Sequence, residues 1–169
     1  MVTGGKLNIQ AINQVGIVVR DLDKAMERYW EEFGIGPWAV FSFGPGIKKT
    51  TYRGEPCSFE LKIAMAQVGP LMLELLQPVS GTTPHQEFLD QHGEGLQHVG
   101  VFVERIDEAV EQVRQLGYQE ISAAYGITSS GEGAGVYFDT LGALGTLLEL
   151  IEMPSQMPPP ERVYPTPSV

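Results

Sequence analysis

Apolar residues follow two spacings along this chain, separated by loops rich in glycine and proline. Between residues 22 and 33 they recur every three or four positions, which predicts an amphipathic helix that begins after Asp21 and ends at Gly34. The same spacing predicts a helix over 106–116, and the capping sequence Thr83-Pro-His-Gln predicts a short helix within 83–95. Apolar runs bounded by loops predict strands near 10–19, 37–43, 59–67, 71–77, 97–103, 118–123, 134–139 and 146–152.

The chain repeats itself. Gln14–Val19 (QVGIVV) returns as His98–Val103 (HVGVFV), an offset of 98 − 14 = 84 residues, and Leu73–Gln77 (LELLQ) returns as Leu148–Glu152 (LELIE), an offset of 148 − 73 = 75 residues. Two echoes in the same order indicate two copies of one structural unit. The nine additional residues of the first copy are expected in the loop region 44–58.

Each copy has the element order strand, helix and three strands, so the predicted class is α+β, with two tandem βαβββ modules that form a cupped mixed sheet. The modules are expected at 8–82 and 96–153, with the linker helix at 83–95 between them. Six of the 12 prolines lie within 154–169, so this tail is predicted to be an extended arm without a helix or a central strand.

Composition narrows the range of partners. The net charge is −10, and residues 85–169 carry 3 basic and 13 acidic side chains, which leaves no basic face for nucleic acid or for an anionic membrane surface. Cys57 is the single cysteine, which fits a reducing compartment, and the N-terminal residues lack the pattern of a secretion signal. The expected location is the cytoplasm, and the expected partner is a small molecule.

Four polar residues interrupt strands that are otherwise apolar. Glu74 and Glu149 each have leucine or isoleucine neighbours on both strand faces, and Gln14 and His98 each open an apolar strand. They occupy matching places in the two copies, one pair per module. An unpaired buried carboxylate costs several kcal/mol or takes up a proton, so these carboxylates need partners.

If the modules pack about a pseudo-twofold axis, Gln14, Glu74, His98 and Glu149 converge. Two carboxylates balance one divalent cation, and one nitrogen with three oxygens suits Zn, Co, Ni, Mn or Fe(II). The structural alternative is that the glutamates pair with buried arginine or backbone donors and that His98 is a hydrogen-bonded core histidine. We favour the metal site, because all four residues stand at repeat-equivalent positions.

The chain resembles the vicinal oxygen chelate superfamily, which includes glyoxalase I, methylmalonyl-CoA epimerases, bleomycin-resistance proteins and extradiol dioxygenases. The resemblance covers about residues 8–153 and is carried by the segments QVGIVVRDLD at 14–23, ELLQP at 74–78, HGEGLQHVGV at 92–101 and LLELI at 147–151. It implies paired βαβββ modules around one metal ion at Gln14, Glu74, His98 and Glu149. The linker helix and the run before His98 look most like the epimerases, whereas the ligand set looks like zinc-type glyoxalase I.

The resemblance implies a metal-dependent isomerase or epimerase that removes an α-proton from a small acyl thioester or a related substrate with two oxygens. Glu149 is expected to be both a metal ligand and the base, and Glu74 a second ligand and a possible second base. The metal would be Zn, Co, Ni or Mn, and the assembly a homodimer. Two alternatives stay open, namely a glyoxalase I-like lyase acting on a glutathione hemithioacetal and a non-catalytic protein that sequesters drugs.

Other side chains are weaker candidates. Lys48, Lys49 and Arg53 lie near a glycine- and proline-containing loop and could hold an anionic group of the substrate, or they are simply solvated. The aromatic residues Trp38, Phe41, Phe43 and Tyr137 could line a substrate pocket, although we favour core packing for any single one of them. Glu55 or Glu60 could supply a base away from the metal, by analogy with the epimerases. No catalytic role is expected for His85 or His92.

Overall fold

A computed structural model describes residues 6–166 of the chain. The helices are α1 (Leu22–Phe33), α2 (Pro84–His92), α3 (Ile106–Gln115) and α4 (Leu141–Leu144). The strands are β1 (Gln14–Val18), β2 (Trp38–Phe43), β3 (Lys49–Tyr52), β4 (Glu55–Pro56), β5 (Phe59–Val68), β6 (Leu71–Gly81), β7 (Gly95–Phe102), β8 (Glu120–Tyr125), β9 (Ala134–Phe138), β10 (Leu147–Glu152) and β11 (Arg162–Tyr164).

All strands of the described residues belong to one mixed sheet, in the order β11-β2-β5-β6-β1-β7-β10-β9-β8-β3-β4. The two repeats account for its centre, because β2, β5, β6 and β1 mirror β8, β9, β10 and β7. The modules meet where β1 runs antiparallel to β7, and each first strand runs parallel to the last strand of its own module. The predicted α+β class with two tandem βαβββ modules is confirmed.

Each module ties its helix to its last strand in the same way. The Gln77 side chain at β6 accepts a hydrogen bond from the Leu22 backbone N–H at 2.8 Å, and the Glu152 carboxylate at β10 accepts one from Ile106 at 2.7 Å. Backbone N–H groups in the first turn of a helix lack partners within the helix, so these bonds stabilise the starts of α1 and α3. Residues 77 and 152 are equivalent at the offset of 75, so the repeat includes this contact.

Helices α1 and α3 cover one face of the sheet, and the other face lines a cavity that the first turn of α2 also borders. α1 packs on a cluster around Met26, Trp38 and Leu75, and α3 packs on an equivalent cluster around Val113, Phe138 and Leu150. A smaller cluster of Leu61, Ile63 and Leu76, with Phe43, Phe59 and Met65 packed against it, lies apart from both helix cores.

Two segments cross from one module to cover the edge of the other. The region 44–58, predicted as a loop, contains β3 and β4, and β3 pairs with β8 of the second module. The tail, predicted to be extended without a central strand, contains the edge strand β11, which pairs with β2 of the first module. Both pairings are long-range, so local sequence patterns could not predict them. The last tail residues, 167–169, lie outside the described part.

No helix of the described residues is long and apolar enough to cross a membrane.

Candidate metal centre and cavity

Four adjacent strands at the middle of the sheet each supply one polar side chain. In the order β6, β1, β7 and β10 these are Glu74, Gln14, His98 and Glu149, and all four are buried. The strands come from both modules, two from each, so the cluster forms within one chain. The pseudo-twofold arrangement expected from the repeat therefore brings the four side chains together.

The strand register explains how they share one face. Gly16 on β1 pairs with Glu74 on one side and with His98 on the other, and Gly100 on β7 pairs with Gln14 and with Glu149. Directly paired residues on neighbouring strands point to the same face of a sheet. Each polar side chain therefore has a glycine beside it on a neighbouring strand. Because that glycine has no side chain, there is room for the polar group.

The donor atoms stand close together. His98 Nε2 lies 3.2 Å from Glu149 Oε2 and 3.4 Å from Glu74 Oε2. Gln14 Nε2 donates to Glu74 Oε2 at 2.7 Å and approaches Glu149 Oε2 at 3.4 Å. A half-turn of the Gln14 amide exchanges its nitrogen and oxygen and turns an acceptor toward the same point.

The His98 ring is oriented from behind by a second polar group. Gln97 Nε2 donates to the Pro84 carbonyl at 2.8 Å, so its Oε1 faces the two imidazoles. That oxygen lies 2.6 Å from His85 Nδ1 and 3.2 Å from His98 Nδ1, so each Nδ1 carries the hydrogen. The Nε2 lone pair of neutral His98 then faces the two carboxylates, which is the orientation that a metal ligand requires.

Electrostatics in the cluster favour a cation. Burial lowers the pKa of His98, but the acceptor oxygens and charges of Glu149 and Glu74 outweigh burial and raise that pKa to about 9. Burial also raises the pKa of the Glu74 carboxyl above its ordinary value. Burial, with the charge on His98, lowers the pKa of His85 to about 3, so His85 is neutral. A positive charge between the two carboxylates, whether a proton or a metal ion, stabilises the cluster.

The residues present fit a divalent metal ion. His98 Nε2 is buried and has no aligned hydrogen-bond partner, and the ligand atoms of Glu74, His98 and Glu149 lie within 4.8 Å of one another. Donor atoms that lie about 2.1 Å from one metal ion stand about 3.0–3.4 Å from each other, close to the distances found here. The four side chains provide two carboxylates, a neutral imidazole and an amide. Their two negative charges balance those of a divalent ion.

A cavity opens above the cluster and encloses about 860 Å³ including its mouth. Gln14, Glu74 and Glu149 lie at its floor, with His85 and Tyr137 beside them. Tyr137 pairs with Glu149 across β9 and β10, and its ring packs edge-on against His98 at 5.1 Å between centroids. Burial and the charges of Glu149 and Glu74 raise the Tyr137 pKa well above its ordinary value, so the phenol keeps its proton.

Several side chains predicted to contact substrate do not line this cavity. Trp38 is fully buried under α1, where its ring packs edge-on against Tyr29 at 5.8 Å. Alternation along β2 places Trp38 and Val40 in the helix core, whereas Phe43, another aromatic candidate, lines the cavity. Of the four aromatic candidates, the structure therefore brings Phe43 and Tyr137 to the cavity and leaves Trp38 and Phe41 out of its lining.

The three basic candidates are engaged elsewhere. Lys48 packs against the glycines of the loop after β8, and the Lys49 ammonium lies 5.4 Å from the centre of the Tyr125 ring. Arg53 forms an ion pair with Glu87 at 2.7 Å, in an outer groove beside α2. The two candidate bases away from the metal, Glu55 and Glu60, are exposed and do not line the cavity.

Sequence reasoning passed over three residues that build the site. Gln97 contacts His98 Nδ1, and His85 contacts the same Gln97 oxygen. No local pattern marks these two residues, because their contact joins α2 to β7. Gly135 on β9 is the third, since a side chain there would lie 2.7 Å from Glu149 Oε1. The capping sequence that predicts α2 places His85 in the first turn of this helix, and only the packing of that turn against β7 reveals its role.

Replacing Gln97 with leucine is expected to lower the affinity for Zn²⁺ or Co²⁺ by about 10–100-fold, the usual effect of losing a group that orients a ligand. Leucine cannot accept the His98 Nδ1 hydrogen, whereas Gln97→Glu retains an acceptor and should keep most of the affinity. Competition with a chromophoric chelator measures both variants. Equal affinities for Gln97→Leu and the parent would show that Gln97 does not orient His98.

The metal-free protein is expected to lose stability as the pH rises from about 6.5 to 9. His98 titrates near 6.5 when unfolded and near 9 when folded, so the folded state holds an extra proton in this range. That proton is worth about 3 kcal/mol of unfolding free energy below the range, and the contribution disappears as the proton leaves.

Urea unfolding at several pH values tests this dependence, with His98→Gln as the control in which it should be absent. Saturating Zn²⁺ should also remove it, because the cation replaces the proton between the carboxylates. The same pH dependence with and without Zn²⁺ would contradict a metal site at His98.

The fold and the cluster together define a class: a paired-βαβββ protein that builds a candidate metal centre between its two modules. In agreement, residues 13–138 match the sequence profile described as the Glyoxalase/Bleomycin resistance protein/Dioxygenase superfamily. The chain belongs to this superfamily, as its resemblance to vicinal oxygen chelate proteins predicts.

Solved structures with this fold include methylmalonyl-CoA epimerases. The enzyme from Mycobacterium tuberculosis superposes with a TM-score of 0.63 at 23% identity, covering 88% of this chain and 90% of its own. A Streptomyces coelicolor epimerase variant in complex with 2-nitronate-propionyl-CoA gives 0.61 at 21% identity, with coverages of 86% and 98%. A hypothetical protein from Bacillus halodurans gives 0.63 at 22% identity, with coverages of 88% and 97%. No curated protein sequence matches the chain significantly.

Proposed function

We propose that this protein is a metal-dependent isomerase or epimerase that removes a proton next to a carbonyl group in a small acyl thioester or a related substrate with two oxygens. The observation that carries the proposal is the buried His98 Nε2, which lacks an aligned hydrogen-bond partner and faces two carboxylates at the floor of a cavity. The fold shared with methylmalonyl-CoA epimerases supports an epimerase-like role.

Gln14, Glu74, His98 and Glu149 would hold the metal ion. A divalent ion there supplies the positive charge that stabilises an enolate. The protein itself orients the His98 ligand through Gln97, keeps Tyr137 protonated beside Glu149 and limits the access of water to the floor of the cavity. These roles follow from the contacts described above and do not depend on the identity of the metal.

Glu149 is the stronger candidate for the base. Glu74 Oε2 accepts a 2.7 Å hydrogen bond from Gln14, whereas the approach of Gln14 to Glu149 is longer, at 3.4 Å. Both carboxylates line the cavity, and Glu149 is the slightly more exposed of the two. His98 Nε2 lies at similar distances from both carboxylates, 3.2 Å from Glu149 and 3.4 Å from Glu74, so the contact with Gln14 separates them. The carboxylate with the longer contact to Gln14 is more free to accept a substrate proton. Glu74 would serve as a ligand and, in an epimerase, as the group that handles the proton on the other face.

Two other functions each have one observation in their favour. Gln14 in the donor set favours a glyoxalase I-like lyase acting on a glutathione hemithioacetal. The apolar cavity walls favour a non-catalytic protein that binds an apolar compound. Homodimer assembly and a cytoplasmic location stay predictions from the sequence.

Elemental analysis of protein purified without chelators, followed by proton exchange in deuterated water, tests the proposal. We expect close to one equivalent of Zn, Co, Ni or Mn, and metal-dependent exchange of the α-proton in acyl thioesters. Exchange only in the hemithioacetal would favour the lyase. Metal far below one equivalent that no added ion restores would overturn the metal site, and full metal without exchange in any of these substrates would favour the binding protein.

A further inference from the structure

The cavity above the candidate metal centre has two unlike sides. On the first-module side β2 and β5 present bulky apolar side chains, and on the second-module side β8 presents small ones, while β9 presents Gly135 and the larger Tyr137. The bulky residues of the first module are Phe43, Phe59, Leu61 and Ile63, and the small residues of β8 are Ser122 and Ala124. Small side chains on one side of a cavity leave room that a ligand can fill, so we expect the open space to border Ser122 and Ala124 of β8.

The lining offers no partner for a charged group beyond the floor. Within residues 6–166 no lysine or arginine side chain lines the cavity, and its carboxylates are Glu74 and Glu149. His85 is neutral and already bonded to Gln97. A buried charge without a partner is strongly unfavourable, so this cavity selects against a substrate whose buried part is ionised.

The mouth is closed on one side by the strap, which we define as residues 153–161, between β10 and β11. Met153, Pro154 and Met157 of the strap line the cavity. Each end is held by a carboxylate: Glu132 accepts hydrogen bonds from Ser155 N and Oγ, and the Glu161 carboxylate accepts them from Ser42 N and Oγ. The strap is therefore fixed as an apolar wall.

We propose that the substrate carries an uncharged hydrocarbon group larger than a methyl group, which packs between β5, Ala124 and Met157 while its oxygens lie at the four polar residues. The placement of the oxygens rests on the proposed function, and the apolar subsite rests on the cavity walls alone. The strap makes Met157 a specificity-determining residue. Any charged part of the substrate extends through the open mouth of the cavity into solvent.

A series of hydroxamates, which present two oxygens to a metal ion, tests the subsite in the Zn²⁺- or Co²⁺-loaded protein by calorimetry. Each buried methylene should raise the affinity about fourfold, so hexanohydroxamate, with four more methylenes, should bind roughly 250-fold more tightly than acetohydroxamate. The monohydroxamate of adipic acid has the same chain length and ends in a carboxylate, so it should bind no better than acetohydroxamate. Equal affinity across the alkyl series, or equal binding of the adipic compound and hexanohydroxamate, would overturn the proposal.

Two variants locate the subsite. Met157→Asp should weaken hexanohydroxamate about tenfold or more while leaving acetohydroxamate unchanged, because it places a charge against the chain. Gln156→Asp is the matched control, since Gln156 is exposed on the same strap and does not line the cavity. Ala124→Leu should fill the open side and have the same selective effect. Unchanged chain-length dependence in both Met157→Asp and Ala124→Leu would overturn the assignment.

A metal-free measurement separates this inference from the proposed function. The uncharged dye prodan should bind the metal-free protein with a blue-shifted emission that Met157→Asp and Ala124→Leu weaken and Gln156→Asp does not. If acetohydroxamate shows no metal-dependent binding while prodan behaves as expected, the metal site fails and the apolar subsite stands. The apolar subsite is wrong if prodan does not bind the metal-free protein, or if all three variants bind prodan as tightly as the parent does. This conclusion holds whether or not the hydroxamates show metal-dependent binding.

Discussion

Replacing Glu149 with glutamine is expected to slow α-proton exchange by about 10²–10⁴-fold, the usual effect of removing a general base. Glutamine keeps the size of the side chain and one oxygen donor, but it does not accept a proton from carbon. It also removes one of the two negative charges that face the candidate metal, so the rate is measured at saturating Zn²⁺ or Co²⁺ and the metal content is determined alongside.

Glu152→Gln provides a matched control three positions along the same strand. The Glu152 carboxylate accepts the Ile106 backbone N–H, and in the first module Gln77 performs the equivalent contact with Leu22 as a glutamine. A glutamine therefore already makes this contact in the first module. We expect Glu152→Gln to keep it and to exchange protons at the parental rate. If metal-loaded Glu149→Gln exchanges as fast as the parent, Glu149 is not the base, and Glu74→Gln becomes the variant to examine.

The repeat made the fold and the polar cluster predictable. Two offsets, 84 and 75, define both module cores, and the four polar residues were visible because each interrupts an apolar strand at a matched position. Periodicity also located the helices well, since Asp21 and Gly34 do bound α1. Strand ends were less certain: the strand expected at 118–123 lies at Glu120–Tyr125, and the one expected at 10–19 starts only at Gln14.

The parts that were not predictable depend on which elements become neighbours. Alternation shows that Trp38 and Phe43 lie on opposite faces of one strand, but it does not show which of these faces packs against α1. The same limit applies to β3, β11 and the Gln97–His85 contact, each of which joins segments distant in sequence. A repeat reveals what the modules share, whereas the start of α2 and the strap, which also line the cavity, have no counterpart in the other module.

Gly16→Ala is the second substitution with a large expected effect, and it tests the same centre without touching any donor. Gly16 does not have a positive φ, so glycine is not needed there for its backbone conformation. Its role is spatial: a β-carbon on Gly16 would overlap the His98 imidazole, which is fully buried. The ring has to move away from the two carboxylates, or β1 has to move away from β7.

Either response should be costly. Displacing the ring removes the one nitrogen donor, so the affinity for Zn²⁺ or Co²⁺ should fall by about 100-fold or more, beyond the usual effect of losing a group that only orients a ligand. Overpacking of the buried site should also lower the unfolding free energy by about 1–3 kcal/mol. Chelator competition and urea unfolding measure the two effects separately.

Gly95→Ala on β7 is the matched control, because a β-carbon there meets only the Phe88 ring at 4.0 Å, an ordinary contact. It should keep both the metal affinity and the stability. A second comparison separates loss of the site from general damage: His98→Gln should also lose metal, but without the overpacking cost. If Gly16→Ala binds metal as the parent does, the His98 ring does not lie where the strand register puts it, and a four-residue centre on these strands is wrong.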